Sequence, residues 1–254
     1  MLVAQRDFAS ALKRFVASLD IRERLAKAEP NNAGLQRELS ASFEAVGHLL
    51  VAQRKLAAAQ DRFTASLAIR EQLAKADPHN AQWQRELFLS YDKVGEALMA
   101  HGNLHAALDR FTASLAIAKR WAAAEPDNAQ WQRDLSVSLE RIGQTLVAQG
   151  NFAAALDRFM ARLAIAERLA KADPSNAALQ LDLALAYAHL GDLHRRAGER
   201  DRALSALLDG RVIMQDVVSR SPDYARGKEH LSWFDAQIAE LEKRVRKSER
   251  GAGR

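Results

Sequence analysis

The chain of 254 residues contains no cysteine, which excludes disulfide bridges, thiolate nucleophiles and cysteine-ligated metals together. It also lacks an apolar run near the ~20 residues that a helix needs to cross a bilayer. Its N-terminal sequence does not show the basic, apolar and cleavage regions of a signal peptide. We therefore expect a cytoplasmic protein without a membrane span.

Proline is scarce, and its few positions are informative. Each proline lies 48 residues after the previous one, at Pro30, Pro78, Pro126, Pro174 and Pro222. Chance does not place every copy of one residue type at a single spacing. The chain is therefore expected to be an array of one structural unit, and such an array builds a continuous surface rather than a closed pocket.

The positive charge is confined to one end of the chain. Of the formal net charge of +5, all is carried by residues 243–254, so residues 1–242 are neutral in sum. Nucleic acid binds basic surfaces, so we do not expect it as a partner of this neutral body. We interpret the basic end as a solvating tail, because it has no interleaved aromatic residues for base recognition.

Longer strings recur with the spacing of the prolines. DRFTASLAI occurs at 61–69 and 109–117, and NAQWQR occurs at 80–85 and 128–133. Apolar residues follow helical spacing in two stretches of each unit, and the excess of Ala and Leu over β-branched residues favours helix. Each stretch has one apolar stripe, so each predicted helix needs a neighbour to cover it.

Polar and small residues mark the ends of these helices. An asparagine two residues after each of the first four prolines is suited to cap the first helix of a unit; these are Asn32, Asn80, Asn128 and Asn176. In three units a glycine marks the turn to the second helix, where a left-handed residue ends a helix; these are Gly102, Gly150 and Gly198. Arg54 replaces it in the first full unit.

Another glycine lies midway along each first helix, where it costs about 1 kcal/mol relative to alanine. An alanine follows 12 residues later, and two facing small residues would let the helix axes approach to about 8 Å. The structural positions are Gly47, Gly95, Gly143 and Gly191, with Ala59, Ala107, Ala155 and Ala203. We expect Gly143→Leu to lower the free energy of unfolding by about 1–3 kcal/mol through overpacking. An unchanged thermal melting curve would contradict the contact.

These positions resemble the motif of the tetratricopeptide repeat (TPR) family: an aromatic residue, leucine and glycine in the first helix, a turn glycine, then alanine and an aromatic residue in the second helix, and then proline. The second unit matches at Tyr91, Val94, Gly95, Gly102, Ala107, Phe111 and Pro126. The third matches at Leu139, Ile142, Gly143, Gly150, Ala155, Phe159 and Pro174. The family unit has 34 residues and this one has 48, so each helix should be about 10 Å longer.

The resemblance implies an all-α, right-handed solenoid of helical hairpins. Four full repeats are expected, preceded by a partial repeat that contains only a second helix and followed by a capping helix and a disordered basic tail. In chain order the boundaries are 1–29, 30–77, 78–125, 126–173, 174–221, 222–247 and 248–254. Self-association through the open N-terminal end is a further expectation.

The resemblance also implies that the first helices line a concave face that binds a partner. The side chains expected to project from it are mostly acidic or amide: Glu44, His48, Asp92, Glu96, Glu140, Gln144 and Asp192. They could hold basic or amide groups of a peptide; the alternative is an ordinary solvated helix face. Family members that bind chaperone tails use Lys, Arg and Asn at these positions, whereas this chain has mostly acids. The sequence therefore does not support the carboxylate-clamp activity of those members.

Other residues with chemical potential have a simpler structural interpretation. Arg37, Arg85 and Arg133 recur one unit apart and are expected to form salt bridges to a neighbouring helix rather than a ladder of ligands. The tryptophans take positions that are leucine in sister units and are expected in the core; they are Trp83, Trp121 and Trp131.

Neither histidine pair has the spacing of metal ligands on one helix face. His101 and His105 straddle a predicted turn, and His189 and His194 are five residues apart. No phosphate loop, nucleophile elbow or dinucleotide fingerprint appears. We therefore expect no metal, no cofactor, no small-molecule substrate and no enzyme activity.

The main hypothesis is a non-enzymatic protein–protein interaction scaffold that binds a peptide or helix of a partner protein along its concave face. One alternative is a regulatory arm of a larger signalling or enzyme assembly. Another is an RNA-binding helical array, which would need a more cationic inner surface.

Overall fold

The computed structural model describes the backbone of residues 2–221 and 223–252 and the side chains of residues 10–221 and 223–243. Within these residues the chain forms ten α-helices and no β-strand, which confirms the predicted all-α class. The helices are α1 Leu2–Ala28, α2 Ala33–Ala52, α3 Leu56–Ala76, α4 Ala81–Ala100, α5 Leu104–Ala124, α6 Ala129–Ala148, α7 Phe152–Ala172, α8 Ala177–Arg196, α9 Arg200–Arg220 and α10 Ala225–Ala252. None of the described helices is long and apolar enough to cross a membrane.

The helices are grouped into two compact units. The first unit, Met1–Ala124, contains α1 to α5, and the second, Glu125–Arg254, contains α6 to α10. Within each unit every helix packs against the next one in the chain. The first helices of the four predicted repeats have 20 residues each and the second helices have 21. Residues a multiple of 48 apart are therefore equivalent in structure, and we use "equivalent" in this sense below.

The asparagines begin the first helices as predicted. The side chain of Asn32 accepts from the backbone N–H of Leu35 at 3.2 Å, and that of Asn80 accepts from Trp83 at 3.1 Å. Asn128 and Asn176 cap α6 and α8 in the same way. Each cap satisfies a backbone donor that has no partner within its helix.

The turn glycines adopt the predicted left-handed backbone. Gly102, Gly150 and Gly198 have φ of +77°, +78° and +78°. Arg54 takes this conformation in the equivalent turn with φ of +60°, which an L-residue with a side chain rarely adopts. The turn geometry is thus kept in the repeat that lacks the glycine.

The mid-helix glycines make room for a large side chain rather than for alanine. A Cβ atom on Gly47, Gly95 or Gly143 would lie 2.5, 2.6 or 2.4 Å from a ring carbon of the phenylalanine 16 residues later. In the fourth repeat the nearest atom belongs to Leu207, at 2.7 Å from the Gly191 position. The expected glycine–alanine pairing is therefore not the closest contact. The four alanines are fully buried, but the cost of Gly143→Leu would come from collision with Phe159.

Each end of the chain forms one long helix. Helix α1 runs without a break from Leu2 to Ala28. Helix α10 continues to Ala252, so residues 248–252, which were expected to be disordered, are helical; residues 253–254 lie outside the described part of the chain. On α1, Phe15 and Leu25 are 44% and 47% exposed.

Candidate functional site

In the first unit the predicted binding acid Glu44 is held by an arginine of the chain itself. Arg70 Nη2 donates to Glu44 Oε2 at 2.6 Å, and the Arg70 side chain is only 8% exposed. The same guanidinium donates to Ser90 Oγ at 2.7 Å and to Ser40 Oγ at 3.3 Å. Arg70 thus ties α3 to α2 and α4, and Glu44 serves this internal network.

In the second unit the predicted binding acid Glu140 is likewise paired with an arginine of the chain itself. Arg162 Nη2 lies 2.9 Å from Glu140 Oε2, and the Arg162 side chain is 5% exposed. Arg162 Nη1 lies 3.1 Å from Nδ1 of His189, and Gln144 Nε2 lies 3.0 Å from His189 Nε2. The His189 ring is stacked on Phe159, with centroids 5.5 Å apart and an interplanar angle of 14°. Two predicted binding residues, Glu140 and Gln144, therefore belong to a packed polar cluster.

This cluster disfavours the charged form of His189. A guanidinium can only donate, so the contact with Arg162 is a hydrogen bond when Nδ1 carries no proton, and Nε2, 3.7 Å from Glu140 Oε1, then carries the ring proton. Burial lowers the pKa of His189 below its usual 6.5, the nearby Glu140 carboxylate opposes this shift, and the charge of Arg162 reinforces it. Burial also lowers the pKa of Arg162 from its ordinary value, with Glu140 again acting in the opposite direction.

The other predicted binding acids are also buried or paired. Asp92 is buried at 7% exposure. Glu96 Oε2 accepts from Lys93 Nζ at 3.1 Å, and Asp192 accepts from Arg195 and from Arg196. The chain's own cations therefore largely neutralise the surface that the sequence suggested would be acidic. Acidic side chains that the helical pattern places on the surface are thus engaged by side chains of the same or neighbouring helices.

His48 is the predicted site residue that remains at an open surface. Its side chain is 51% exposed, and its ring meets Phe63 edge-on with centroids 5.3 Å apart. It stands at the rim of an apolar pocket of about 160 Å³ formed by α2, α3 and α4. The pocket is lined by His48, Val51, Leu56, Ala59, Phe63, Lys93, Glu96, Ala97 and Ala100. We call it the Val51 pocket.

The Val51 pocket exposes large apolar side chains to solvent. Val51 is 42% exposed and Leu56 is 38% exposed. Both are neighbours of the αL turn at Arg54, which joins α2 to α3. Exposed apolar side chains gathered around a concavity are typical of a binding site, whereas single ones are common on any surface.

The second unit carries larger side chains at the positions equivalent to Ala97 and Leu56, and an aromatic ring at the position equivalent to Lys93. Leu193 is equivalent to Ala97 and is 2% exposed. His189 is equivalent to Lys93 and stacks on Phe159, the equivalent of Phe63. Phe152 is equivalent to Leu56. Sequence reasoning missed the pocket, although a comparison of side-chain size at equivalent positions could have indicated it.

Arg37 and Arg133 form the expected salt bridges between first helices. Arg37 Nη2 lies 2.7 Å from Glu86 Oε1, joining α2 to α4. Arg133 Nε lies 3.5 Å from Asp182 Oδ2, joining α6 to α8 at the equivalent positions. Arg85 is half-buried. These pairs are structural rather than a ladder of ligands.

The three tryptophans that were expected in the core differ in their burial. Trp131 is buried in the core at 3% exposure, whereas Trp83 and Trp121 are half-buried. His194 Nδ1 lies 2.6 Å from Glu199 Oε2. The described side chains include no group of three or more His, Cys, Asp or Glu that could hold a metal ion. The basic side chains of 244–254 lie outside the described side chains.

Comparison with known proteins supports the repeat fold. No family model matches the chain, and no curated protein matches it. Solved structures do match. BtubC (BKLC) from P. vanneervenii aligns with a TM-score of 0.62 at 15% identity over 96% of this chain and 92% of that protein.

Two further structures show the same fold. A putative kinesin light chain from Podosopora anserina, with nearly identical TPR-like repeats, aligns with a TM-score of 0.56 at 18% identity, over 85% of this chain and 96% of that one. Aspartyl phosphate phosphatase F from Bacillus subtilis aligns at 0.57 and 14% identity over 92% of this chain, which spans 58% of that protein. The chain is thus similar in fold to TPR-like helical-repeat proteins.

Proposed function

We propose that this chain is a non-enzymatic protein-interaction scaffold, and that it holds a segment of a partner protein against α2 and α4 of the first unit. The observation that carries this proposal is the Val51 pocket, where Val51 and Leu56 are exposed on a face whose charges are otherwise engaged internally. The TPR-like fold supports it, because helical repeats present extended surfaces to partners.

The internal ion pairs change the expected mode of binding. Glu44 and Glu96 already contact cations of the chain, so a basic partner would have to displace Arg70 or Lys93. Displacing a buried guanidinium such as that of Arg70 leaves an uncompensated charge. Apolar contact in the Val51 pocket is therefore the main source of affinity, and we expect only a weak dependence of binding on salt.

The test uses peptides selected on the full chain from a random peptide display library, with affinities measured by fluorescence polarisation. Val51→Glu should weaken the selected peptides at least tenfold, because it places a charge among apolar groups. The matched control is Val147→Glu, which makes the same change at the equivalent position of the second unit. Failure to select any peptide, or equal loss in both variants, would overturn the proposal.

The remaining expectations also stay proposals. We propose that the chain acts in the cytoplasm without a small-molecule substrate. Self-association through α1 is proposed separately, because Phe15 and Leu25 are exposed whereas their equivalents Phe63 and Leu73 are buried. Sedimentation of the chain and of a Phe15→Glu variant over a range of concentrations tests it.

A further inference from the structure

We infer that the Val51 pocket is an anchor site for one phenylalanine side chain of the partner. This inference rests on the proposed function, since it names the side chain that the bound segment supplies. The size of the pocket is the first argument. Its volume is about 160 Å³, and an apolar protein cavity of about 150 Å³ is known to bind benzene.

The second argument is how the second unit fills the corresponding positions. There a planar ring, that of His189, is stacked on Phe159, and the side chain of Leu193 is buried beside it on the same helix. In the first unit the equivalents of these two residues are Lys93 and Ala97. In the second unit, α8 therefore places an aromatic ring against Phe159. At the equivalent position of the first unit α4 carries Lys93, so an aromatic side chain supplied by a partner would take the place of that ring.

The third argument is the charge at the rim. Lys93 and Glu96 pair with each other at 3.1 Å, so they present no net charge to an occupant. The walls are built by the apolar side chains of Val51, Leu56 and Phe63. A charged side chain would lose its hydration there without a dedicated partner. The occupant is therefore uncharged, and the ammonium of Lys93 has further donors for a peptide carbonyl beside the anchor.

The experiment titrates the full chain, labelled with carbon-13 at its methyl groups, with N-acetyl-L-phenylalaninamide. Saturable NMR shifts are expected for the methyl groups of Val51, Leu56 and Ala97, and not for that of Leu193. N-acetyl-L-lysinamide and N-acetylglycinamide are matched probes without a phenyl ring and should give no saturable shift. Absence of shifts with the phenyl probe, or equal shifts with the lysine probe, would overturn the inference. Tighter binding of N-acetyl-L-leucinamide would overturn the choice of a ring.

Ala97→Leu is the variant that blocks the pocket. It copies the residue that the second unit carries at the equivalent position, and it should weaken the phenyl probe at least tenfold. Leu56→Phe, which copies Phe152, is the second variant in case Ala97→Leu does not fold. Unchanged Leu193 shifts in either variant show that the second unit is intact. Probe binding unchanged in both folded variants would contradict the inference.

The failure of this inference can be told apart from failure of the proposed function. If selected peptides depend on Val51 but lose less than twofold when each of their phenylalanines is replaced by alanine, the scaffold proposal stands and the phenylalanine anchor is overturned. If no peptide binds at all, both are overturned.

Discussion

In both units a buried arginine on a second helix joins the two neighbouring first helices, but it lies at a different position of the repeat in each unit. In the first unit Arg70 on α3 reaches Glu44 on α2 and Ser90 on α4. In the second unit Arg162 on α7 reaches Glu140 on α6 and His189 on α8. The two arginines are not equivalent, since Arg162 lies one helical turn earlier in its repeat. In both units a guanidinium thus joins a second helix to the first helices on either side, and it does so from positions one helical turn apart.

The second difference between the units is how completely side chains fill the region around Phe63 and its equivalent, Phe159. In the first unit the region around Phe63 is left open beside Ala97, whereas in the second unit Leu193 is buried and His189 covers Phe159. The backbone periodicity is the same in both units. A repeat array can therefore keep its framework constant and open a pocket where a few side chains are smaller.

Removal of either central arginine should give the largest effect. We expect Arg162→Ala and Arg70→Ala each to lower the free energy of unfolding by about 3–5 kcal/mol, because each removes a buried guanidinium and leaves a partly buried carboxylate without its cation. Urea denaturation followed by circular dichroism measures this. Arg133→Ala is the control, since both side chains of its pair with Asp182 are exposed, at 48% and 42%, and the pair should contribute under about 1 kcal/mol. Equal effects of all three would show that the two networks are not central.

Exchanging the side chains of the filled position, Leu193, and the open position, Ala97, should have an effect of intermediate size. The free energy of unfolding should fall much more for one exchange than for the other. Leu193→Ala removes a buried side chain and should cost about 2–5 kcal/mol in the free energy of unfolding. Ala97→Leu places the same atoms in an existing space and should change it by less than about 1.5 kcal/mol. Chemical denaturation of both variants and of the unaltered chain measures the asymmetry. A large loss for Ala97→Leu would mean that the Val51 pocket is not available to a side chain.

The smallest effect expected is a pH dependence carried by the second unit. The folded chain holds the pKa of His189 below the 6.5 of the unfolded chain, so the unfolded state takes up a proton first as the pH falls. Stability is therefore complete above about pH 6.5 and declines below it, by at most about 1.4 kcal/mol per pH unit for one proton.

His189→Gln tests this pH dependence, because glutamine can still accept from Arg162 but does not titrate. Its free energy of unfolding, measured at a series of pH values, should fall less steeply below about pH 6.5 than that of the unaltered chain. Lys93→Gln, at the equivalent position of the first unit, is the control. Parallel pH profiles for the unaltered chain and His189→Gln would contradict the assignment.

Local signals explain what could be predicted. The asparagine caps and the turn glycines depend on backbone groups within a few residues, and both appear where the pattern indicates. The side chain that packs against Gly143 could not be predicted from such local signals. Glycine is compatible with any close neighbour, and only packing shows that the neighbour is the ring of Phe159.

The candidate site shows the same limit. Glu44 and Glu140 have the helical positions expected of a binding face, but their partners come from Arg70 and Arg162 on other helices. A pair of Arg and Ser does recur along the chain: Arg22 donates to Ser42, and Arg70 donates to Ser90. That repetition, 48 residues apart in the sequence, is a signal for hydrogen bonding between helices.

The sequence by itself determined the period, the helices and their ends, because a 48-residue repeat of caps, turns and apolar stripes acts through neighbours along the chain. Only the tertiary structure decided which charges are free and where a pocket is open. Both depend on the summed volumes and charges of side chains that come from three different helices. Those sums differ between the two units although the repeat pattern does not.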